Sequence, residues 1–161
     1  EAAIRYGTMA KMNPPLREEE DRLAIIQGLA DGTIDIIATD HAPHTTEEKA
    51  RPVTQAPSGI IGLETALPLA ITGLVNEGYL TLSRLLRLMS TNPANLYHLD
   101  AGYLAENGPA DLVLIDTAAE VIPGNYASKA SNTPLTGWSL KGKVVKTMAS
   151  GKVVYSSEEV L

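Results

Sequence analysis

One carboxylate and two imidazoles crowd into residues 40–44, at the end of the run IDIIATDHAPH that occupies residues 34–44. A carboxylate such as Asp40 can ligate a hard or borderline metal ion, or take a proton from a metal-bound water. An imidazole four residues on, at His44, can hydrogen-bond a substrate or supply a further ligand. What precedes them is apolar. Ile34, Ile36, Ile37 and Ala38 form a short run bounded by turn signals, which predicts a strand over residues 34–39 covered on both faces. Charged groups at the end of a buried strand are costly unless they are used. In an α/β barrel that end is the catalytic face, because the loops after the strands build the site. Asp and Pro are also turn residues, so the same letters would cap a strand with no chemistry attached.

The elements that must hold this stretch read as alternating helix and strand. Residues 1–12 are weakly patterned, and the double proline of KMNPPLR, residues 11–17, forces an extended backbone after Asn13. A helix is predicted over residues 18–30, with acids in its first turn, Leu23, Ile26 and Ala30 on one face, and Gly32 as its stop. Residues 45–57 are polar and proline-bearing, and are expected to be a mobile loop that closes over a ligand. They end in a tight Ala56-Pro57-Ser58-Gly59 turn whose amides would be free to face it. Residues 63–77 read as a second helix, with Pro68 marking a kink or a late start. Thr81 caps a third, with Leu82, Leu85, Leu86 and Met89 as core and Arg84 and Arg87 on the wet face. Thr91-Asn92-Pro93-Ala94 reads as a fresh helix start, with His98 structural at its end. Strands follow at residues 110–116, 144–149 and 152–155, the last two joined through a Ser150-Gly151 hairpin turn, and residues 121–137 are loop. The fold class is therefore α/β for the first hundred residues and β with loops beyond, with a boundary near Asp100.

Composition excludes several classes. The 161 residues carry 13 basic and 19 acidic side chains, for a net charge of −6, which argues against a nucleic-acid surface. There is no cysteine, so neither disulfides nor a thiolate zinc site is available. No stretch approaches the roughly 20 apolar residues of a membrane span. The chain opens on Glu1 without methionine or signal-peptide pattern, and is expected to be processed or partial and intracellular.

Several motifs recur in a recognisable order: KMNPPLR, ATDHAPH, APSGIIGLET, STNPA, ADLVLID, SKASNTPLTGW and GKVVKTMASGKVVY. Jointly they resemble the C-terminal part of the dihydroorotases of the amidohydrolase superfamily, across residues 11–155. The resemblance implies a zinc-dependent (β/α)8 barrel whose C-terminal part is residues 1–100, followed by strands of a small β-sandwich in residues 101–161. It implies interconversion of dihydroorotate and N-carbamoyl-L-aspartate in de novo pyrimidine biosynthesis, in the cytoplasm. Two zinc ions would polarise the ring carbonyl and activate a bridging water.

Carried over residue by residue, the resemblance makes Asp40 both zinc ligand and general base, then acid. Asn13 and His44 would bind the substrate carboxylate, and the backbone of Ser58 and Gly59 the pyrimidine ring. Many relatives have phenylalanine where this chain has Ser58; a backbone contact survives that change, and packing by the ring does not. His41 takes a supporting role, and Glu64 a structural one. The implied partners are the small substrate, further copies of the chain in a homo-oligomer, and aspartate transcarbamoylase, with neither nucleic acid nor membrane. Two alternatives stand beside this. One is an allantoinase- or hydantoinase-like cyclic amidohydrolase, which Asn13 with His44 disfavours. The other is a catalytically silent scaffold for aspartate transcarbamoylase, which retention of Asp40, Asn13 and His44 disfavours. Asp40 is the only family-matched zinc ligand here, and about two strand-helix units cannot close eight strands. The chain is thus expected to be a fragment that is inactive alone.

Overall fold

Acidic residues open the long helix, as their attraction to a helix N-terminus dictates. The structure, a computed structural model, describes residues 2–157. Glu1 and residues 158–161, at the two ends of the expected domain ranges, lie outside the described residues. Helix α1, Ala2–Tyr6, runs into a 3₁₀ turn, Gly7–Ala10, so the weakly patterned N-terminal stretch is helical. Helix α2 spans Glu19–Asp31, with Glu19, Glu20 and Asp21 in its first turn, and stops at Gly32 with φ +95°. Its buried residues are Ile26, Gly28 and Leu29. Leu23, expected inside, is 43% exposed, so the buried stripe is rotated from the one predicted.

The chain forms two compact units. The first comprises Glu1–Ala24, Ala38–Leu67 and Ile122–Ser139; the second comprises Ile25–Ile37, Pro68–Val121 and Leu140–Leu161.

In the second unit Leu29, Leu80 and Leu88 form a cluster against which Ile34, Ile37 and Leu74 pack. The strand predicted over residues 34–39 is not formed. A strand needs a neighbour to exchange ladder hydrogen bonds with, and among the described residues only the C-terminal strands pair. Ile34 N instead donates to Gly28 O at 2.9 Å, and Ile37 N to Leu88 O at 3.0 Å. The apolar run is still used, as packing rather than as ladder.

Helix α4, Ala66–Ala70, begins later than predicted and continues as a π turn, Ile71–Val75. Pro68 falls in its first turn, where a missing N–H costs nothing. The Thr72 hydroxyl donates to Pro68 O at 2.8 Å and accepts from Lys141 N at 2.7 Å. Helix α5, Leu82–Leu86, is capped by Thr81, whose hydroxyl accepts from Arg84 N. It runs through a π turn, Arg87–Thr91, straight into α6, Asn92–Leu96. The separate helix start expected at Thr91 is therefore absent: Thr91 is itself helical, and its hydroxyl donates to Gly102 O at 2.8 Å. Arg84 is not on a wet face; its guanidinium donates to Leu29 O at 3.0 Å and Ile34 O at 3.4 Å. Of the predicted core stripe only Leu85 is fully buried; Leu82 and Met89 are half-buried, Leu86 is exposed, and Leu88, outside that stripe, is fully buried like Leu85.

Strands β1, Leu112–Val121, β2, Leu140–Ala149, and β3, Lys152–Ser156, form one antiparallel sheet in that order. Ser150 and Gly151 turn the β2–β3 hairpin with φ of 48° and 75°, the left-handed pair that a two-residue hairpin requires. Both β1 and β2 run longer than predicted. Asp116 breaks the β1 register by accepting the N–H groups of Ala118 and Ala119 at 2.9 and 3.0 Å. Gly142 lets β2 approach the π turn, since a Cβ there would lie 2.5 Å from Ile71 Cδ1. The described fold is mixed α/β.

Candidate active site

Every residue singled out for chemistry lies in the first unit. Asp40 is exposed and sits at φ 44°, a left-handed conformation that Asp tolerates better than most side chains but rarely adopts. Such an outlier is itself a pointer to function. His41 is tied inward: its Nδ1 accepts from Gly62 N at 3.1 Å and Leu63 N at 3.4 Å. His44 is half-buried, and its Nε2 donates to the carbonyl of Ser58 at 2.9 Å. Its Nδ1 lies 3.9 Å from a carboxylate oxygen of Glu48. A cleft of 390 Å³ opens beside it, lined by His44, Thr45, Glu48, Lys129 and Ser131 among others.

The turn at Ser58-Gly59 is gripped from several sides. Gly59 has φ +99°, and a Cβ on it would stand 2.6 Å from Ala42 Cβ, so only glycine fits. Its N–H donates to Lys11 O at 2.9 Å, which corrects the expectation that both amides here face outward unpaired. Its carbonyl accepts from Lys49 Nζ at 3.0 Å. Lys49 is 2% exposed and also donates to Pro57 O at 3.1 Å. Burial, and secondarily the nearby Lys11, pushes its pKa below the usual lysine range.

Residues 45–57 are not a featureless loop. Thr45 and Glu48 close a reciprocal capping box around the short helix α3, Thr46–Lys49. Lys11 Nζ holds the far side of the loop by the carbonyls of Val53 and Ala56, at 2.6 and 2.5 Å. The sequence carried the box openly, as Thr-x-x-Glu ahead of a helix; nothing in it marked Lys11 or Lys49 as clamps.

The structure therefore brings His44, Ser58 and Gly59 together. It links neither Asp40 nor Asn13 to them by a hydrogen bond among the described residues. Asn13 is exposed, at a cis bond to Pro14. Glu64 is structural, as expected: its carboxylate accepts the N–H groups of Ala127 and Ser128 at 2.9 and 3.1 Å. Asn132, which sequence reasoning passed over, bonds to both sides of the site.

The family model described as "Amidohydrolase family" matches residues 5–154. The chain belongs to the amidohydrolase family. Among its amidohydrolase relatives is a dihydroorotase of Streptococcus pyogenes serotype M3, 60% identical over 154 residues, covering 94% of this chain and 36% of that protein. A dihydroorotase of Lactococcus lactis subsp. lactis is 56% identical over 156 residues, covering 96% of this chain and 37% of that one. The chain thus spans little more than a third of the length of the curated relatives it matches. Among solved structures, an L-hydantoinase (dihydropyrimidinase) from Arthrobacter aurescens superposes with a TM-score of 0.84 at 32% identity. That match covers 99% of this chain and 37% of the other, so the mixed α/β fold corresponds to part of a hydantoinase fold.

Zinc is the cofactor that the amidohydrolase resemblance implies. The residues present do not make a complete site for it: among the described residues no three His, Cys, Asp or Glu side chains converge as a metal site would require. No helix among the described residues is long and apolar enough to cross a membrane.

Proposed function

We propose that this chain is the C-terminal portion of a dihydroorotase that interconverts dihydroorotate and N-carbamoyl-L-aspartate in de novo pyrimidine biosynthesis. Residues 1–100 contribute the last part of a (β/α)8 barrel and residues 101–161 strands of a small β-sandwich. The observation that carries the reading is the bond from His44 Nε2 to Ser58 O, which joins two residues that the resemblance makes substrate contacts. The 60% identity to a dihydroorotase over 94% of the chain supports it.

Asp40 is the proton carrier, base toward the attacking water and then acid toward the leaving nitrogen. Its carboxylate would also be one ligand to a zinc ion, which would supply Lewis acidity. Asn13 and His44 hold the substrate carboxylate, and the Asn13 amide donates without adding a charge that needs desolvation. The backbone of Ser58 and Gly59 meets the ring. The whole protein works in the cytoplasm as a homo-oligomer, with aspartate transcarbamoylase as a further partner.

The superposition on an L-hydantoinase favours a second reading, a cyclic amidohydrolase of hydantoin-type rings. The two separate in one assay of the full-length protein on dihydroorotate and hydantoin. Turnover of dihydroorotate, lost by ~10²–10⁴-fold in Asp40→Asn, is expected. Asparagine tolerates the left-handed backbone at position 40, so that variant tests chemistry rather than folding. Preference for hydantoin, or a variant retaining most of kcat, would defeat the first reading.

A further inference from the structure

Asn132 is 3% exposed, and its side-chain amide serves groups distant in sequence. Oδ1 accepts the backbone N–H of His44 at 3.0 Å. Nδ2 donates to the carbonyl of Ala42 at 2.9 Å and to that of Gly59 at 3.4 Å. Its backbone carbonyl accepts the N–H of Ile61 at 3.1 Å. One side chain thus spans the stretch that carries His44 and the stretch that carries Ser58 and Gly59. An amide offers an acceptor on one terminal atom and two donors on the other without needing a proton from solution. A carboxylate would set a second oxygen against two carbonyls.

We propose that Asn132 is a positioning residue for the substrate: it fixes His44 against the Ser58-Gly59 backbone and so sets affinity, without contacting Asp40. This rests on the reading of His44, Ser58 and Gly59 as substrate contacts. A buried amide with its bonds made on both sides holds its neighbours in one arrangement, which is how a residue that touches no substrate tunes a site. Because its bonds go to the holding residues and not to the proton carrier, its loss should appear in KM and leave kcat nearly intact.

The test uses the full-length enzyme with dihydroorotate. Asn132→Ala and Asn132→Asp should each raise KM roughly tenfold, the ratio that one lost hydrogen bond carries, with kcat within about threefold of wild type. The aspartate variant carries a further signature. Protonation restores a donor toward Ala42 and Gly59, so its KM defect should shrink as pH falls, while that of the alanine variant should not. A fall in kcat at unchanged KM, or failure of both variants to fold, would make Asn132 a folding residue and overturn the proposal. His44→Ala is the control. Unchanged KM in it would sink the underlying reading of the site. Raised KM in His44→Ala beside wild-type KM in both Asn132 variants would overturn the positioning role alone.

Discussion

Gly59 shows how narrowly single positions are fixed in this site. Its φ of +99° excludes most side chains, and Ala42 Cβ stands where its own Cβ would be. Gly59→Ala should destabilise the protein by about 1–3 kcal/mol through overpacking, besides backbone strain. Pairing it with Ala42→Gly should return the steric part and leave the strain. Thermal melts of the two singles and the double decide this, and full recovery in the double would show that strain plays no part. At this scale the sequence was legible where a role depends on neighbours along the chain. Asp40, His44, Ser58 and Gly59 stand in short motifs, which is why they could be singled out as candidates. Asn132 was illegible because its partners lie 73 to 90 residues away, and no local pattern marks such a bond.

At the scale of elements, periodicity and turn residues located α2, α4, α5 and the hairpin, missed the short helices α1 and α3, and did not show what the elements pair with. The run at residues 34–39 has the composition of a strand, yet strand formation depends on a neighbour rather than on propensity alone. Arg84 looked like a solvated arginine because its acceptors, Leu29 O and Ile34 O, belong to other elements. The turn at residues 52–59 depends likewise on Lys49, and that dependence has a pH consequence. Lys49 is held below its ordinary pKa of 10.5 by burial. Between that lowered value and 10.5 the unfolded chain binds more protons than the folded one, so stability from this group rises with pH. Below the lowered pKa the cost of the buried charge is fully present. Relative to Lys49→Met, the wild-type melting temperature should therefore gain as pH is raised toward 10.5. A difference that is flat or falls with pH would mean that Lys49 is not desolvated as its burial indicates.

For the molecule as a whole, the sheet leaves Val113, Leu114 and Val154 more than half exposed, at 53%, 54% and 63%. Val113 and Leu114 are successive residues of one strand and so stand on opposite faces, and exposed apolar side chains favour association. Residues 1–161 purified alone should therefore self-associate in sedimentation experiments. They should also retain no tightly bound zinc, because the described residues bring no three ligands together. A monomer that keeps stoichiometric zinc through dialysis and hydrolyses dihydroorotate would contradict both expectations. What the sequence disclosed at this scale was membership, through motifs spread over most of the chain. It could not disclose the division into two units, because each is assembled from stretches that are not contiguous in the chain.

The two lysine clamps grip only main-chain oxygens: Val53 and Ala56 from Lys11, Pro57 and Gly59 from Lys49. The side chains of residues 51–55 are all exposed and take no part in that grip. The anchorage is therefore indifferent to the letters written at the tip. Those five positions form a cassette beside the candidate ring-binding turn, where substitutions, or a designed library, should be accepted without unfastening the loop from its base.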